Sequence, residues 1–166
     1  MTKAKDLATA GMMGTILVVS KIALDGLPSV ELVSLFIIVY ALELPKLTLP
    51  AIYVYLGIYG LLNGFGIWWF PQLYIWPLLY VGVRAVHRWE SRLLIAVLSA
   101  MFGLFFGAFY AISYAIVGGV AGGIAWWVAG IPFDIFHCIG NFVVTLALLN
   151  PLRRTVVRCK QAGILL

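Results

Sequence analysis

Apolar residues in this chain do not alternate with polar ones. They continue for about 15 to 25 positions at a time, broken by short segments rich in Gly, Pro or charge. Runs of that length predict helices that cross a bilayer, where a β-barrel would show short alternating stretches. Six spans are expected: about 7–24, 30–44, 49–65, 72–86, 93–117 and 131–149. Pro77 is expected to kink the fourth, and Asn150-Pro151 to stop the sixth. Several spans fall short of the ~20 residues of a straight crossing, so tilt or interfacial anchoring has to make up the difference.

Composition removes the soluble alternatives. The 166 residues are 64% hydrophobic and 10% charged, against roughly 25% charged in a soluble domain; mean hydropathy is +1.08. No polar linker divides the chain, so residues 1–166 are expected to form one domain. The expected fold is an all-α integral membrane protein, a compact bundle of six transmembrane helices with both termini cytoplasmic. The net charge of +5 does not point to nucleic acid, because of where the cations lie. With the termini inside, ten of the eleven Lys and Arg fall on cytoplasmic segments: Lys3, Lys5, Lys46, Arg84, Arg88, Arg92, Arg153, Arg154, Arg158 and Lys160. Lys21 alone lies outward. This asymmetry sets the orientation in the cell membrane. The start MTKAK resembles a signal peptide, but Lys21 interrupts the apolar run and no small-residue cleavage site follows, so a retained first helix is expected. Cys138 and Cys159 form no disulfide framework.

The outer connections are then DGLPS, GIWWFPQ and GGVAGGIAWWVAG. Their tryptophans fit lipid-belt anchors equally well one at a time. Two Trp-Trp pairs on one face, Trp68-Trp69 and Trp126-Trp127, with Tyr74 and Trp76 following, point to an aromatic-lined pocket. Gly118, Gly119, Gly122 and Gly123 would let the last loop move as a lid. Beneath it, WWVAGIPFDIFHCIGNF (126–142) carries polar groups in an apolar span. At about 100° per residue, His137, Cys138, Asn141 and Thr145 all fall within about 60° of Asp134 on a helical wheel. Phe136, Ile139 and Val143 take the opposite face. A carboxylate facing lipid is costly, so the stripe must face the bundle interior or a wet cavity. Either Asp134 caps the helix while His137 and Asn141 bond to neighbouring helices, or the stripe is the polar wall of a ligand pocket. Asn63, two turns beyond Tyr55 and one beyond Tyr59, is a further candidate contact. Lys21 and Asp25 sit four apart and are able to neutralise each other, and Glu31 suits the start of a helix through the macrodipole alone.

Small residues at Ala10 and Gly14 form a pair four apart in ATAGMMG, suited to internal packing or to an external partner. No phosphate loop, G-x-S-x-G, H-E-x-x-H or C-x-x-C occurs, and no nucleophile stands out beside His137. Binding rather than catalysis is expected, with no cofactor and no protein-held metal.

The six short spans, the small pair in the first helix, and the segments LPSVELV (Leu27–Val33), GIWWFPQLYIW (Gly66–Trp76) and AGIPFDIFHCIGNF (Ala129–Phe142) resemble the substrate-binding S components of energy-coupling factor (ECF) vitamin transporters. The resemblance spans nearly the whole chain. It departs at the first helix, where the family has A-x-x-x-A and this chain has Ala10-x-x-x-Gly14. It implies capture of a vitamin-type small molecule under the outer loops, with cobalamin or a related corrinoid as the branch-level expectation. It also implies docking of the first helix on a transmembrane coupling subunit that two separate ATPase subunits drive. The implied substrate contacts are Asn63, Trp68, Trp69, Tyr74, Trp76, Trp126, Trp127, Asp134, His137 and Asn141, and the partner contacts are Ala10 and Gly14.

Overall fold

The computed structural model describes residues 3–26, 31–89 and 91–165. Every regular element among them is helical: α1 (Lys3–Ala23), α2 (Val33–Glu43), α3 (Pro45–Asn63), α4 (Gln72–Val86), a 3-10 turn (His87–Trp89), α5 (Arg92–Leu104) and α6 (Phe106–Gln161). Two helical stretches are long and apolar enough to cross a membrane, Lys3–Ala23 and the run Arg92–Gln161. The second stretch folds back on itself. Gly119 has φ 73° and ψ 172°, a left-handed backbone that favours glycine, and there the 106–118 arm turns into the antiparallel 120–161 arm.

That reversal corrects the expected third outer loop. Residues 118–130 are helical apart from the turn residue, and no flexible lid is formed there. In a membrane-spanning segment a glycine-rich run is held helical because no water is available to take the backbone groups a loop would free. The arms pack closely because the residues between them are small. A Cβ on Gly123 would lie 2.6 Å from that of Ala115, and one on Gly103 would lie 2.8 Å from the His137 carbonyl oxygen. The helix also continues through Pro151 instead of ending there. Its last turns are tied to the end of α2: Arg153 Nε donates to Glu43 Oε1 at 2.7 Å, and Lys160 Nζ to the Glu43 carbonyl at 2.8 Å.

α2 is the axis of the bundle. It is apolar all round, and Val33, Leu35, Ile37, Ile38, Val39 and Ala41 are buried on every side, as a fully enclosed helix requires. Neighbours α1, α3, α4 and α6 surround it. α1 runs parallel to α3, and their contact uses Ala10 and Gly14. Ala10 is 2% exposed, and a Cβ on Gly14 would lie 2.6 Å from Val54 Cγ1 and 2.9 Å from the Ala51 carbonyl. Both positions of the small pair are thus buried inside the bundle, Gly14 against α3.

The alternating helix directions leave the bundle with two unlike ends. At one, α2 finishes, α4 finishes and α5 begins. Arg84 Nη1 reaches the Ala41 carbonyl there, and Arg92 and Arg153 line a shared cleft with His87. At the other, α1 and α3 finish, and α2 and α4 begin. Most of the connection expected to face outward between α1 and α2 lies in residues 27–30, outside the described residues.

Candidate functional site

The second end holds a cavity of about 340 Å³. Each wall follows from a local sequence feature. On α3, Tyr55 and Tyr59 stand one turn apart and stack at 5.6 Å. The turn before α4 brings Trp68 edge-on to Tyr59 at 5.6 Å. On α4, Trp76 lies one turn after Gln72 and donates Nε1–H to Gln72 Oε1 at 3.2 Å, while the Tyr55 hydroxyl approaches the same oxygen at 3.5 Å. Phe106 and Tyr110 of the 106–118 arm close the far side, their rings 5.0 Å apart.

The polar floor comes from the stripe on the 120–161 arm. Asp134, His137, Asn141 and Thr145 are all buried, on one face as the helical wheel predicts, and the bundle divides them between two tasks. Asn141 Nδ2 donates to the Ser99 carbonyl at 3.3 Å and approaches the Ser34 hydroxyl at 3.5 Å; the Thr145 hydroxyl donates to Ser99 Oγ at 3.0 Å. These two lower residues fasten helices together. Asp134 and His137 line the cavity. His137 Nε2 lies 3.3 Å from Glu31 Oε1, while Glu31 Oε2 accepts from the Ser34 amide at 2.8 Å. Glu31 thus satisfies a backbone donor at the start of α2 and meets the histidine at once. Asp134 Oδ1 accepts from the Gly107 amide at 2.9 Å. It caps the first turn of α6 from the opposite arm, not the start of its own helix.

Of the expected contacts, Trp68, Trp76, Asp134 and His137 converge on the cavity. The others do not. Trp69 turns inward and donates Nε1–H to the Leu56 carbonyl at 2.9 Å. The Tyr74 hydroxyl donates to the Phe109 carbonyl at 2.6 Å. Asn63 folds back on the Tyr59 carbonyl of its own helix at 3.0 Å. Trp126 stacks on Tyr114 at 3.7 Å between the arms, and Trp127 is 40% exposed. Asn141 lies below the cavity floor. Five lining residues were not read from the sequence as contacts: Val33, Gln72, Phe106, Tyr110 and Phe133. Only Gln72 carried a cue, as a single amide opening an apolar helix. Lys21 also lines the cavity, with its ammonium on Asp25 Oδ1 at 2.6 Å.

Aromatic walls with a few convergent polar groups bind small molecules. Among the described residues no three His, Cys, Asp or Glu side chains gather as a metal site would need, so the donors present suit hydrogen bonding and charge pairing. Compared with known proteins, the chain matches no family model, no curated sequence and no solved structure.

Proposed function

We propose that the protein is a membrane-embedded substrate-binding subunit, of the kind that serves ECF-type vitamin importers. In this reading six helical crossings place both termini in the cytoplasm, and the cavity faces outward. One observation carries the proposal: the upper end of the buried polar stripe lines a cavity in addition to its contacts with neighbouring elements. A purely structural membrane subunit would use all of the stripe, as Asn141 and Thr145 are used. Asp134 and His137 open onto an aromatic chamber.

The volume favours a compact vitamin. About 340 Å³ is near the lower limit of the ~300–1,000 Å³ typical of small-molecule sites, whereas an intact corrinoid is several times larger. Energy would come from ATPase subunits acting through a coupling subunit. Because Ala10 and Gly14 are buried, docking falls to the outward face of α1, where Gly11 has open space beside it and Thr15 is exposed.

Native mass spectrometry of the protein, purified in a neutral detergent from vitamin-replete cells, tests the capture reading. The expected result is a bound mass in the vitamin range. A ligand-free protein that also binds no member of a vitamin panel in dialysis overturns it.

A further inference from the structure

We infer that the cleft at the basic end of the bundle holds the phosphate headgroup of an anionic phospholipid. This site lies at the opposite end from the aromatic cavity and stands independently of vitamin capture.

The last turns of α6 carry two neighbouring columns of side chains. Asn150, Arg154 and Arg158 follow one another at intervals of four, and Arg153, Val157 and Gln161 do the same beside them. Residues four apart share a helix face. All six line, with Glu43, a cleft of about 500 Å³, and every one except Val157 brings an N–H donor. Asn150 and Arg153 also line a second cleft of about 120 Å³, together with His87, Ser91 and Arg92.

The charges there do not cancel. Glu43 is the one carboxylate among the described lining residues, and it is already bound, since Arg153 Nε donates to its Oε1 at 2.7 Å. Among the described residues neither Arg154 nor Arg158 pairs with a carboxylate. Like charges four apart on a helix repel. The macrodipole favours cations in the last turn, which covers Arg158 and Lys160 but not Arg154. An anion between the two arginines turns that repulsion into binding. Guanidinium forks match phosphate oxygens two at a time, and the amides of Asn150 and Gln161 suit ester oxygens or headgroup hydroxyls.

The surroundings favour a lipid over a soluble phosphate. In the orientation proposed above, this end meets the cytoplasmic leaflet, where basic pockets between helices bind anionic headgroups. Beside Ser91 and Arg92, Trp89 is 69% exposed and Leu93 58%, an apolar rim at headgroup level. An apolar groove of about 340 Å³ between α4 and α5 reaches Ala85, two residues before His87, and gives room for an acyl chain.

Native mass spectrometry of the full chain in neutral detergent reads the affinity of the first lipid bound. The probes are phosphatidylglycerol and phosphatidylcholine with the same acyl chains, and glycerol 3-phosphate, which has the phosphate without the chains. Phosphatidylglycerol should bind roughly tenfold more tightly than either, and less tightly as ammonium acetate is raised. Arg154 and Arg158 are exposed, so Arg154→Gln combined with Arg158→Gln should keep the thermal midpoint and remove the preference. Arg88→Gln, an exposed cation at the same end but outside both clefts, should keep the preference. Equal binding of the two lipids overturns the inference, and so does an equal loss in the Arg88 variant, which would assign the effect to general surface charge. Glycerol 3-phosphate binding as tightly as the lipid overturns the lipid assignment in favour of a soluble phosphate. Each of these outcomes leaves the capture reading untouched.

Discussion

Asn141 and Asp134 are two turns apart on one helix face, yet removing each should produce a different defect. Asn141 bonds to the Ser99 carbonyl and Ser34 beneath the cavity. Asn141→Ala strands those partners between helices, and interhelical hydrogen bonds in membranes are worth about 1 kcal/mol. The expected outcome is a stability loss of ~1 kcal/mol in denaturant titration, with ligand affinity within about twofold of the parent. A large affinity loss at full stability would place Asn141 in the site. The shared face of this stripe was legible in the sequence because helical periodicity sorts polar from apolar positions without help from the rest of the chain. Its division between packing and cavity was not legible. That depends on Ser99 and Ser34, which no local spacing connects to Asn141.

At the scale of single helices, the sequence reading was most accurate where an apolar run is bounded by turn residues. The expected 72–86 span coincides with α4. It failed at 118–130, where glycines were read as loop-formers. Only Gly119 makes a turn; Gly123 makes space for Ala115, and neither a Cβ on Gly118 nor the backbone there meets a constraint. Trp126 and Trp127 were misplaced for the same reason, since a helix sets their direction where a loop would have left them free to fold over the cavity. A matched pair of variants separates turn from spacer. Gly119→Ala forces a side chain into the left-handed region at a cost of roughly 1–2 kcal/mol, and its thermal midpoint should fall. Gly118→Ala, in helix with open space around it, should be neutral or raise stability by up to about 1 kcal/mol. Equal effects at both positions would mean that the reversal is not at Gly119.

Across the whole molecule, the bundle sets its arginine cluster apart from the cavity. Arg84, Arg92, Arg153 and Lys160 gather at the end where α2 and α4 finish, and the aromatic chamber lies at the other. Single cysteines introduced at Arg88 and Val120, with Cys138 and Cys159 replaced by alanine, test the orientation in intact cells. The Val120 site should react with an impermeant maleimide, and the Arg88 site only after permeabilisation. The reverse pattern would invert the bundle and point the cavity at the cytoplasm. The tight hairpin at Gly119 has a further consequence for how the chain enters the bilayer. An aspartate at the centre of a lone helix opposes insertion by roughly 2.5–3.5 kcal/mol, and the 120–161 arm carries His137 and Asn141 besides. Its partners are Gly107 across the reversal, Ser99 on α5, and Glu31 and Ser34 at the start of α2, all of which precede it in synthesis. In the proposed membrane setting, the last arm would therefore enter most favourably against α2, α5 and the 106–118 arm, which already hold the partners of its polar face, not by itself.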